Sequence, residues 1–115
     1  MAELTLDRTV RLLEAAWAEP GAMERKCHMP FGDIPAPAAV SIHFLDIVVH
    51  GWDLARATGG DERLDPVVVD AVAAWFDANE AAYRAAGAVG PAVEVPDGAD
   101  AQDRLLARFG RDPGA

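Results

Sequence analysis

Between Ala38 and Gly59 the chain reads AAVSIHFLDIVVHGWDLARATG, and this stretch holds two of its three histidines. On a helix advancing about 100° per residue, three- and four-residue steps stay on one face, so His43, Asp46, His50 and Asp53 form one stripe. Ile42, Leu45, Val49 and Trp52 fall beside that stripe and carry the packing. The polar stripe is therefore expected next to the core, partly desolvated and in need of partners. Asp46-x-x-x-His50 is the sharpest pair, because a carboxylate and an imidazole four residues apart on a helix can chelate one cation. Imidazole suits Zn, Ni, Cu or Fe. His43, one turn earlier, stands as a further ligand or as support for one. Without metal, Asp46 can orient His50, and imidazole is the side chain suited to general acid–base work near neutral pH. The plain alternative is a buried structural Asp46–His50 pair. Asp53 and Arg56, three apart, read as a surface ion pair.

The elements that must position these groups are mostly helical. Leu6, Val10, Leu13 and Trp17 recur at helical spacing from Thr5 to Glu19, and Pro20-Gly21 stops that helix. Met23 to Pro37 holds three prolines and Gly32, with Phe31-Gly32-Asp33-Ile34 as a tight turn between two short extended pieces; a loop or a small hairpin follows. Pro37 stands where the central helix begins, Gly59-Gly60 closes it, and Gly51 is a weak point inside it. Asp65-Pro66 opens a helix in N-cap and first-position order, and its apolar stripe runs through Val69, Val72 and Phe76 towards Gly87. Gly87 to Gly98 reads as a loop or, through Ala92-Val93-Glu94-Val95, an edge strand. Asp100 caps a last helix carrying Leu105, Leu106 and Phe109, which ends at Gly110-Arg111-Asp112-Pro113.

With 115 residues the chain has the size of one domain, residues 1–115. Hydrophobic residues make up 51% of it and the net charge is −9, with a pI of about 4.5. That charge repels a nucleic-acid backbone or an anionic membrane surface, so neither is expected as a main partner. No apolar run is expected to reach the roughly 20 residues that span a bilayer, and MAELTLDRTV lacks the order of a signal peptide. A cytoplasmic location is the expectation. Cys27 is the single cysteine and forms no intrachain disulfide; Cys27 followed by His28 is too little to make a nucleophile.

The run from Asp46 through His50-Gly51-Trp52-Asp53-Leu54-Ala55-Arg56-Ala57-Thr58 to Gly59 resembles the mycothiol-dependent maleylpyruvate isomerase and DinB-like metal-binding superfamily of actinobacteria. Pro30-Phe31-Gly32-Asp33-Ile34-Pro35 and Asp103-Arg104-Leu105-Leu106 with Gly110-Arg111-Asp112-Pro113 support the resemblance, which covers nearly the whole chain. It implies a four-helix bundle holding a divalent metal, often zinc, by three side chains, with Asp46 and His50 as two of them. It also implies thiol-dependent isomerase or transferase chemistry on a small organic substrate, with mycothiol as a cofactor in some members. Family members usually carry two further helices before the segment matching Thr5 to Glu19, and the third ligand comes from one of those. The fold implied is therefore a truncated, mainly α, DinB-like bundle. A symmetric homodimer is the favoured way to complete it, and a separate polypeptide supplying the missing half is another. The rival from a different class is a non-catalytic small-molecule-binding or assembly module.

Overall fold

The structure, a computed structural model, describes residues 5–115. Residues 1–4, part of the stretch read above for a leader, lie outside the described residues. The fold is mainly helical with one small two-stranded antiparallel sheet. The chain divides into two compact units, one ending at His43 and the other running Phe44–Ala115.

In the first unit, helix α1 spans Leu6–Ala18. Thr5 is its N-cap, with the hydroxyl accepting from the Arg8 backbone N–H at 3.2 Å. The periodicity forms the helix as expected, but no residue of α1 is buried, and Leu6 and Leu13 are exposed. A single 3-10 turn at Ala22–Glu24 leads into strand β1, Lys26–Met29, paired antiparallel with β2, Gly32–Pro35. The register sets Cys27 opposite Ile34 and His28 opposite Asp33. Of the two expectations for this stretch, the hairpin is the one that forms. Its turn lies at Pro30–Phe31 rather than at residues 31–34, because Gly32 and Asp33 already belong to β2. The Ala36 backbone N–H donates to the Arg25 carbonyl at 2.9 Å, and helix α2, Ala36–Thr58, starts there with Pro37 in its first turn.

At 23 residues, α2 is by length and composition long and apolar enough to cross a membrane, which corrects the expectation that no run approaches that length. The core helix of a soluble protein meets the same criteria.

The second unit holds the rest of α2, helix α3 at Pro66–Ala85 and helix α4 at Ala101–Arg108. Asp65 caps α3 by accepting from the Val67 N–H at 2.8 Å, and Asp100 caps α4 by accepting from the Asp103 N–H at 2.9 Å, both as the sequence predicts. The core joins Leu45, Val48 and Val49 of α2 to Val69, Val72 and Phe76 of α3 and to Leu105 and Phe109 at the α4 end. The Phe76 and Phe109 rings lie 4.3 Å apart, centroid to centroid. Residues 87–100 form no described strand; Val93 makes one backbone bond to Ala107, 2.9 Å, so the loop reading holds over the edge strand. Gln102 is buried and satisfied, donating to the Glu62 carbonyl and accepting from the Leu64 N–H.

Candidate functional site

The core face of α2 in the second unit is set by Leu45, Val48, Val49 and Trp52, all buried. Counting roughly 100° per residue from the middle of that face puts Asp53 about 90° away, Asp46 about 110° and His50 about 150°. Burial follows those angles: Asp53 is half-buried, whereas Asp46 and His50 are exposed. The expectation of a desolvated stripe beside the core is thereby corrected. His43, which falls in the first unit, is exposed as well.

The carboxylate that holds His50 is Asp53, not Asp46. His50 Nδ1 lies 3.2 Å from Asp53 Oδ2, with the imidazole side chain 68% exposed. Asp53 is itself gripped by Arg111, whose Nε donates to Oδ1 at 3.0 Å and whose terminal nitrogen donates to Oδ2 at 2.6 Å. The Arg111 guanidinium holds the Asp53 carboxyl below the ordinary carboxylate range, desolvation opposes it, and His50 adds a smaller push in the same direction as Arg111. An ionised carboxylate can only accept. The proton between the two residues is therefore assigned to Nδ1, and in the neutral ring that leaves the Nε2 lone pair open.

The expected Asp53–Arg56 pair does not form, because each residue has a better partner. Arg56 pairs with Glu62, stacks 4.6 Å above the Trp52 ring and donates to the Pro113 carbonyl at 2.9 Å. Beside this cluster lies a cavity of about 270 Å³ bounded by Trp52, Arg56, Glu62, Arg63, Gln102 and Asp103 among others, and His50 is not in its wall. Trp75 is half-buried with its indole N–H on the Tyr83 hydroxyl at 3.2 Å, and Phe44 is exposed. In the first unit, His28 Nδ1 meets Asp33 Oδ1 at 2.8 Å across the hairpin, both well exposed. Cys27 is a free thiol.

For metal, the geometry offers two donors on one exposed face, Asp46 and His50, spaced one turn apart. Among the described residues no group of three or more His, Cys, Asp or Glu side chains is placed to hold a metal ion. The connection that sequence reasoning missed, Asp53 to Arg111, spans 58 positions. Its only local signal was an Arg in the turn that ends the last helix.

No protein-family model matches the chain, and no solved structure matches it. Two curated proteins of Mycobacterium tuberculosis do: the uncharacterised protein MT0763 of strain CDC 1551 and the uncharacterised protein Rv0738 of strain H37Rv. Each is 38% identical over 50 residues, a match that covers 44% of this chain and 28% of the relative. The matched stretch thus spans less than a third of each relative's length, and the relatives' source is actinobacterial.

Proposed function

We propose that His50 is the working group of a small-molecule site on the exposed face of α2, acting as a general acid–base in an isomerisation or cyclisation. The observation that supports this most is the contact between His50 Nδ1 and the ionised Asp53 carboxylate, which orients the ring and leaves Nε2 free. An imidazole held in this way takes a proton from an activated C–H or O–H at Nε2 and returns it from the same atom. Asp53 stabilises the imidazolium formed in between without being protonated itself, a division of labour familiar from histidine–carboxylate pairs.

A second reading is favoured by Asp46, one turn before His50: the two form half of a divalent-metal site, zinc first among the candidates. Two donors fall short of the three protein ligands of a catalytic zinc site, so the described residues do not make a metal centre alone, and no chemical step is derived through one. The remaining ligands would come from a second copy or from another helical chain, as the resemblance to DinB-like bundles implies, and thiol dependence belongs to this version. Ile47, 70% exposed, and Leu54, 65% exposed, flank His50 on the same face and supply apolar surface for such a partner.

The test is a screen of small keto acids and enones for isomerisation, with and without added thiol, on wild type and His50→Ala, alongside native mass spectrometry with elemental analysis. A turnover that falls by about 10²-fold or more in His50→Ala supports the reading. A turnover unchanged by that substitution overturns it. Stoichiometric metal lost in His50→Ala moves the conclusion to the second reading.

A further inference from the structure

Arg111 stands three residues beyond the end of α4, and its place is set by groups that have nothing to do with His50. Phe109, two residues before it, is buried against Phe76. The Arg111 backbone N–H donates to the Leu106 carbonyl at 3.0 Å, and its guanidinium donates to the Phe109 carbonyl at 2.9 Å. The side chain therefore reaches Asp53 from an anchored turn, and both Asp53 oxygens are taken in a planar, two-point grip. A surface ion pair made for charge alone needs neither the anchoring nor the fork.

We propose that Arg111 is a positioning residue for His50: it pins the Asp53 carboxylate, and the pinned carboxylate holds the imidazole in its Nδ1–H tautomer with Nε2 as the free lone pair. Free histidine favours the opposite tautomer, so the proton on Nδ1 is something the protein imposes. The side chain that carries Nε2 is 68% exposed, so the free lone pair serves equally for a substrate proton or a cation. The importance of this for catalysis rests on the function proposed above; the tautomer does not.

The experiment reads the tautomer directly, in the metal-free and substrate-free full chain, from long-range nitrogen–proton correlations of the His50 ring at a pH where its signals are those of the neutral form. Wild type is expected to show predominantly Nδ1–H. Asp53→Asn is expected to invert it, because Arg111 takes the one remaining carbonyl oxygen and turns the amide N–H towards Nδ1, as in the carboxylate-to-amide change of a serine-protease triad. Arg111→Met is expected to shift the population towards Nε2–H, and Arg111→Lys to restore part of it. A wild-type ring in the Nε2–H form overturns the proposal with no variant needed. So does an unchanged tautomer in both Asp53→Asn and Arg111→Met with helix content intact by circular dichroism. If Arg111→Met fails to fold, Arg111→Lys decides its part, since a merely structural charge pair survives that exchange with no change at the ring. An expected tautomer together with unimpaired turnover in His50→Ala discards the function and keeps the pinning; the reverse pattern does the opposite.

Discussion

Arg111 holds Asp53 by two nearly parallel N–H···O bonds of 3.0 and 2.6 Å across 58 positions of sequence. The pair ties the turn after α4 to the C-terminal part of α2. Its side chains remain 27% and 34% exposed, so water screens part of the attraction. A double-mutant cycle on Asp53→Ala and Arg111→Ala should give a coupling of about 1–2 kcal/mol, read by urea denaturation. A coupling near zero would show that the fork is not held in solution.

Acid should weaken the second unit through the same kind of contact. Arg111 lowers the Asp53 carboxyl, Arg56 lowers Glu62, and Arg84 followed by Arg108 lowers Glu80. Each of these groups has a folded value below its unfolded one, so its contribution is fully present above the unfolded carboxylate range and is lost as pH falls through the folded value. The contribution of these three carboxylates is therefore expected to be flat from about pH 7 to pH 5 and to decline below about pH 4. Thermal melts across that range test this, and Asp53→Asn should decline less steeply than wild type. Equal slopes would assign the acid loss to other groups.

Gly110 links the buried Phe109 to Arg111 and has φ of 83°, a left-handed conformation that costs other residues about 1–2 kcal/mol. A Cβ there would also meet the Pro91 carbonyl oxygen at 3.3 Å. Gly110→Ala is expected to destabilise by about that amount and to loosen the grip on Asp53, seen as a shift of the Arg111 guanidinium resonances. A variant as stable as wild type with those resonances unmoved would place the turn's restraint elsewhere.

Helices and caps were legible in the sequence because their signals are local. Asp65-Pro66 and Asp100 start α3 and α4 where Ser/Asp/Asn-type caps belong, and Val69, Val72 and Phe76 keep helical spacing onto the core. His50 and Asp46 were legible as unusual residues on one helix. What they touch was not, because the partner of Asp53 arrives from the far end of the chain and competes with Arg56, which is nearer in sequence but taken by Glu62. The core-facing side of α2 differs from the expected one for a simpler reason: the expected packing face of Ile42, Leu45, Val49 and Trp52 omits Val48, which is one of the buried residues that fix the face, and includes Ile42, which is not. The hairpin turn was displaced because Pro30-Phe31 carries no glycine, and Gly32 drew the turn two residues too far.

The outward face of α2 in the second unit joins His50 to Ile47 and Leu54, both more than half exposed. Apolar side chains at i and i+7 with a polar group at i+3 between them form a face by which a helix addresses another helix, and a working imidazole needs a wall to exclude water. If a second copy forms that wall, sedimentation at micromolar concentration should show a dimer, and Ile47→Glu or Leu54→Glu should convert it to monomer. Neither substitution touches the core, so the melting temperature of the monomer should shift little, within about 0.5 kcal/mol in stability. Any turnover found in the substrate screen should then fall with the dimer. A wild type that is monomeric, with both variants equally active, would leave His50 working from an open face and remove the need for a partner.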